Sequence, residues 1–210
     1  YYLANDIELT GNWTPIGHAG NEKPTAFSGT FDGNGHKITG LNINLPSSSG
    51  YSGQYIGLFA SNNGTIKNLT VENGAVKGYK GVGTIVGINH GMVENCAVVG
   101  GDVIGTQVTS SVNALYSSGN YIGGITGQNG SDGTITGCSS SAYVEGVRWI
   151  GGLAGANFGL IEKSSVVNAG INTNLVDPNW ANNAAIVLLQ TNRFVYSSAG
   201  GLAGENQRSE

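Results

Sequence analysis

The side chains with the greatest chemical potential in this sequence are carboxylates that return at one position of a repeat. Glu94 and Glu162 stand there, with Lys67 before them and Thr136 between them. Two carboxylates facing each other across a cleft would point to glycoside hydrolysis, which needs a separation of about 5–5.5 Å for retention or about 6.5–9.5 Å for inversion. If each repeat adds one strand layer, Glu94 and Glu162 lie two layers apart, roughly 9.6 Å. That distance is nominally compatible with inversion, but no further acid, Arg or His gathers around the pair. Asp32, Glu72, Asp102, Asp132 and Glu145 share no repeat position with one another. Catalysis is therefore not expected, and Lys67 beside Glu94 reads as an exposed ion pair of about 0–1 kcal/mol.

Other chemistries find less support. His18, His36 and His90 stand singly, as turn or surface residues. Cys96 and Cys138 occupy equivalent positions in successive repeats, where parallel side-chain vectors disfavour a relaxed disulfide, and the expectation is two buried, unoxidised thiols. Without histidine ligands nearby they make no zinc site. Gly33-Asn34-Gly35 and Gly130-Ser131-Asp132-Gly133 offer too few oxygens for calcium. The sequence carries no His-Glu-x-x-His, no Gly-x-Ser-x-Gly and no Walker-type loop, so no cofactor is expected. A net charge of −4, with nine Lys and Arg scattered along the chain, supplies no basic stripe for nucleic acid.

What would position any such residue is the repeat itself. A small apolar strand with glycines runs into an asparagine five times: Gly57-Leu58-Phe59-Ala60-Ser61-Asn62, Thr84-Ile85-Val86-Gly87-Ile88-Asn89, Gly124-Ile125-Thr126-Gly127-Gln128-Asn129, Gly152-Leu153-Ala154-Gly155-Ala156-Asn157 and Gly201-Leu202-Ala203-Gly204-Glu205-Asn206. The central aliphatics are 27 residues apart from Leu58 to Ile85 and 28 from Ile125 to Leu153, so one coil is about that long. The intervals of 40 and 49 residues are a coil plus an insertion. Downstream positions repeat too: Ile66, Val93, Ile135 and Ile161; Leu69, Cys96, Cys138 and Ser164; Val71, Val98, Ser140 and Val166. Ile135 and the residues after it are displaced by two through Ser131-Asp132. About three short apolar faces per coil are expected, because alternation holds only within each face.

A unit this short cannot bury its own apolar face and must stack on its neighbours. The expected fold is all-β, a right-handed parallel β-helix of about six to seven coils with two loop insertions. Composition agrees: 36 of 210 residues are glycine without a Gly-X-Y period, 4 are proline, and 10% are charged. One domain over 1–210 suffices, with leading coils at 1–50, regular coils at 51–171, an insertion at 172–198 and a last partial unit at 199–210. Asp32-Gly33-Asn34-Gly35 is a hairpin signal when taken alone, but in a solenoid the same residues make a corner. No apolar run approaches about 18 residues, so no membrane insertion is expected. A chain that starts in mid-pattern, without an initiator methionine, is read as part of a longer protein.

The recurring asparagines Asn62, Asn89, Asn129, Asn157 and Asn206 are expected to sit at αL corners and bond to one another between coils, an internal ladder and not a ligand site. Recognition would concentrate in the insertions. Thr106–Gly119 is small and polar, whereas 172–198 carries Trp180, Phe194, Tyr196 and the apolar run Ala184-Ala185-Ile186-Val187-Leu188-Leu189, expected to cover a side or end of the solenoid. Trp149 and Phe158 are positioned where they could stack on a sugar, but as isolated aromatics they are expected to be packing residues.

The runs Val82–Asn89, Ile122–Asn129 and Ile150–Asn157 resemble the GLUG motif, with its Gly-Leu-variable-Gly core, and Phe27–His36 is similar to the segment that often precedes it. Thr84 stands where the motif has its second glycine. Similar repeats occur in bacterial adhesins and in the non-catalytic regions of immunoglobulin A1 metallopeptidases. The resemblance implies a parallel β-helix on an exported protein, extracellular or at the cell surface. The function expected is a structural and adhesive segment, a rigid spacer and binding scaffold whose partner is a host or surface glycan or protein. A carbohydrate-binding or polysaccharide-processing β-helix, and an accessory domain of a secreted metallopeptidase, are the alternatives.

Overall fold

A computed structural model describes residues 1–17, 25–46, 54–106, 119–167, 169–173, 185–187, 198–200 and 203–206. The chain is an all-β parallel β-helix. Its strands form five parallel sheets, one for each short strand of a coil. The third coil shows the order: Thr65–Lys67 in sheet 1, Thr70–Glu72 in sheet 2, Ala75–Gly78 in sheet 3, Lys80–Gly83 in sheet 4 and Val86–Asn89 in sheet 5. Sheet 2 has six strands, one for each of six coils, from Ile7–Glu8 to Ser165–Val166. Right-handed winding is the sense expected of parallel crossovers.

The repeat spacing translates directly into register. Phe59, Val86, Thr126 and Ala154 are successive partners in sheet 5, and Leu58, Ile85, Ile125 and Leu153 stack beside them. Ile66, Val93, Ile135 and Ile161 align in sheet 1, and Val71, Val98, Ser140 and Val166 in sheet 2. Ser131-Asp132 bulges out at a corner without disturbing that order. The inward residues Ile56, Ile66, Val71, Ile85, Val93, Ile122, Ile135 and Ile150 make one continuous core. Each large aliphatic so buried contributes about 1.5–3 kcal/mol.

Five faces form where about three are expected from the apolar pattern, because the corners are one or two residues long. Asn68 (φ 53°) turns the chain between sheets 1 and 2, and Asn73 (φ 52°) with Gly74 turns it between sheets 2 and 3. Asparagine tolerates this left-handed geometry because its short polar side chain can bond locally. The segment around Asp32–Gly35 is a corner, as expected: Thr30–Asp32 joins sheet 1 and Lys37–Thr39 joins sheet 2.

The N-terminal residues supply the first coil, with Tyr2 bridged to Asp32, Ile7 paired with Ile38 and Ile16 bridged to Phe59. At the opposite end Ala185–Val187 pairs with Ser198–Gly200, adding a further strand to sheet 4 beyond the sixth coil. No helix among the described residues is long and apolar enough to cross a membrane. Most of the insertions, with Trp180, Phe194 and Tyr196, lie outside the described residues, as does His18.

Candidate functional site

The residues singled out for acid chemistry are dispersed. Asp32, Lys67, Glu94, Thr136 and Glu162 form one outward row of sheet 1. Within it Lys67 pairs with Asp32 (3.5 Å), not with Glu94 as the spacing suggested. Asp32 also accepts from Asn68 Nδ2 (3.0 Å) and from the Asn34 amide (2.8 Å). Those donors, Asn68 first, hold its carboxyl below the usual range. Thr136 Oγ1 donates to Glu162, Glu72 pairs with Lys37 (2.8 Å), and Tyr143 OH donates to Glu145 (2.7 Å). Asp32, Glu72, Glu145 and Glu162 each have their own partner, and none of these contacts joins two acids across a shared space. His36 faces Asp6, and the Gly130–Gly133 corner is closed by its own backbone bond. No group of three His, Cys, Asp or Glu that could hold a metal occurs among the described residues.

The thiols are free and buried on adjacent rungs, with the Cys96 amide 3.4 Å from Cys138 Sγ. The hydrogen bond with Cys138 and burial push the Cys96 thiol well above its ordinary range.

The asparagines bond from coil to coil. Asn62 Nδ2 donates to Asn89 Oδ1 (2.8 Å), Asn89 Nδ2 to Asn129 Oδ1 (2.8 Å) and Asn129 Nδ2 to Asn157 Oδ1 (2.7 Å). Each also closes its own turn, as where Asn62 Nδ2 reaches Gly64 O and Oδ1 accepts from the Gly64 amide. All four are buried, and none has a positive φ. They end the strands of sheet 5 instead of occupying αL corners, because a strand end aims the amide straight at the next rung. Asn206 continues their backbone register.

A second once-per-coil row, not evident from the repeat analysis, runs along the outside of sheet 4. Tyr55 (φ 56°), Gly81 (φ 65°), Tyr121 (φ 61°) and Trp149 (φ 54°) occupy the second position of successive strands, all left-handed. Glycine takes this conformation freely, whereas a bulky side chain pays roughly 1–2 kcal/mol for it. The inward neighbours Ile56, Val82, Ile122 and Ile150 are fully buried, while the three aromatics are half-buried. The Tyr121 and Trp149 rings stack, centroids 4.7 Å apart and planes within 6°. Lys80 Nζ lies 5.3 Å from the Tyr121 ring centre, and the Arg148 guanidinium 4.8 Å from that of Trp149. Such cation–ring contacts are worth about 0.5–1 kcal/mol when exposed. Burial pushes the Tyr55 phenol up.

The motif glycines hold this row in place. A Cβ on Gly87, Gly127 or Gly155 would collide with the backbone of Tyr55, Gly81 or Tyr121–Ile122 respectively. Sheet 5 therefore lies directly against the backbone that carries the row. Trp149, read from sequence as an isolated aromatic, is thus one of a set, whereas Phe158 lies at a corner of sheet 5, its amide bonded to Asn129 O. The missed signal was an aromatic four residues before the central aliphatic at Tyr121 and Trp149, and three before it at Tyr55.

No family model matches the chain. It is 32% identical over 163 residues to a protein named as a Gly-rich membrane protein of Evansella cellulosilytica, covering 64% of this chain and 18% of that one. It is 35% identical over 123 residues to Halomucin of Haloquadratum walsbyi, covering 59% of this chain and 1% of that one. The chain thus spans a small part of the curated relatives it matches. A crystal structure of a protein assigned as an immunoglobulin A1 protease from Bacteroides ovatus superposes on 99% of this chain and 55% of its own, with a TM-score of 0.62 at 20% identity. That likeness is one of fold alone.

Proposed function

We propose that the chain is a non-catalytic segment of an exported bacterial surface protein, of the GLUG-repeat kind, serving as a rigid spacer that carries binding side chains on its flank. The observation behind this reading is the asparagine ladder, in which one buried amide per coil ties four successive coils together. A stack so cross-tied resists bending and unzipping, which is what a spacer requires. The dispersal of the acids supports a non-catalytic role. The names of the Evansella and Haloquadratum relatives, a membrane protein and a mucin, support placement at the cell surface. Antibodies raised against the chain are expected to label intact cells that make the parent protein. Labelling that appears only after lysis would reject the surface reading. Small-angle scattering is expected to show an elongated particle, and a spherical one would reject the spacer.

The likeness in fold to the Bacteroides protein favours a second reading, an accessory domain of a secreted peptidase. Deleting 1–210 from the parent would distinguish the two. An accessory domain predicts altered cleavage of protein substrates, whereas a spacer predicts loss of reach with no such change.

A further inference from the structure

The strained row on sheet 4 carries more than the scaffold needs. At that position the fold asks for a positive φ in four successive coils, and glycine meets the demand at Gly81. Elsewhere among the described residues the same demand is met by glycine or asparagine, with Lys163 (φ 50°) the exception, as in the corner row Asn68, Asn95, Gly137 and Lys163. On sheet 4 it is met three times by an aromatic ring. The repetition is informative because the coils are separate instances of one local problem. A bulky ring kept three times over at a position whose backbone favours glycine points to a use for the ring surface itself.

Charge narrows what that is. The strands Gln54–Ile56, Lys80–Gly83, Asn120–Gly123 and Arg148–Gly151 contain two cations and no carboxylate, in a chain of net charge −4. Lys80 and Arg148 are held against the rings, so positive charge and aromatic surface are presented together. The row is linear, and its coils repeat at about 4.8 Å, close to the length of one sugar unit in an extended glycan. A regular line of rings and cations matches a regular line of rings and anions.

We propose that Tyr55, Tyr121 and Trp149, with Lys80 and Arg148, form a binding track for a linear acidic polysaccharide, bearing carboxylate or sulfate groups, laid along the solenoid axis. The sugar rings contact the aromatic side chains, and the acidic groups are met by the two cations. This rests on the scaffold reading above and gives its partner a chemical class.

Retention of the chain in native gels containing polygalacturonate, chondroitin sulfate or uncharged dextran tests the track. Slowed migration is expected with at least one of the two acidic polymers and not with dextran, and the two acidic arms separate carboxylate from sulfate recognition. Trp149→Gly keeps the left-handed backbone while removing the ring. It is expected to weaken retention at least tenfold with a melting temperature shifted by no more than about 2–4 °C, a separation that a packing role would not give. Arg148→Gln is expected to weaken acidic binding several-fold and flatten its salt dependence. Absence of retention by either acidic polymer would overturn the inference, as would retention that Trp149→Gly and Tyr121→Gly leave intact, which would mark bulk charge attraction. A track that instead holds a protein would also show neither polymer bound. None of these results depends on whether cells display the parent, so failure here and failure of the surface reading are distinguishable.

Discussion

The asparagine ladder of sheet 5 and the aromatic row of sheet 4 both place one residue per coil, yet they differ in every other respect. The ladder repeats a single residue type, lies buried, and is bonded from coil to coil at 2.7–2.8 Å. The row alternates Tyr, Gly, Tyr and Trp, is half-buried, and holds its bulky members in a conformation they disfavour. Periodicity is therefore a poor guide to role. Whether the repeated group is satisfied by the scaffold itself separates a strut from a site.

The contrast can be broken most sharply at Asn129. Asn129→Ala removes the acceptor for Asn89 and the donor to Asn157 and to Gly133 O, leaving several buried groups unmade at about 1–3 kcal/mol each. Chemical denaturation should show a loss of about 3 kcal/mol or more. A loss under about 1 kcal/mol would mean that the ladder is decoration. Gly127→Ala comes next, because its new Cβ meets the Gly81 backbone. Overpacking of this kind costs about 1–3 kcal/mol, and the near-ultraviolet dichroism of the Tyr121–Trp149 stack should change with it. Trp149→Gly should shift stability by less than about 1 kcal/mol, since relief of about 1–2 kcal/mol of strain offsets the lost ring stacking and the greater freedom of glycine in the unfolded chain. A large destabilisation would place the row with the ladder as a strut.

The smallest effect concerns pH. The folded protein holds the Asp32 carboxyl below its ordinary range, through Asn68, the Asn34 amide and Lys67. The stability this confers is present above the unfolded pKa near 3.8 and is lost as pH falls through the lower folded value. Thermal melts of the native protein and of Asp32→Asn should therefore converge on acidification below about pH 4. Divergence there would remove Asp32 from the acid response.

The axial order was legible because identical or similar residues recur at a fixed distance from each central aliphatic. Leu58, Ile85, Ile125 and Leu153 were enough to set the register, and Ser131-Asp132 was recognisable as a two-residue detour. The number of faces was not legible, since corners as short as Asn68-Leu69 keep the apolar pattern running while the backbone turns. The ladder was visible as five asparagines, although its strand-end geometry was not. The row escaped notice because its members differ in type and glycine interrupts it. Its defining property is a backbone angle, which a string of letters does not display.

Every amide in the ladder points its nitrogen toward the later coil, so the chain of dipoles has a direction. Each coil thus carries a plug on one side and a socket on the other. A duplicated coil spliced anywhere between Asn62 and Asn157 would restore both connections, provided it brings its own asparagine. Length can then change by whole coils without redesign of the neighbours, and a copy lacking that one side chain would leave a plug and a socket facing an empty rung.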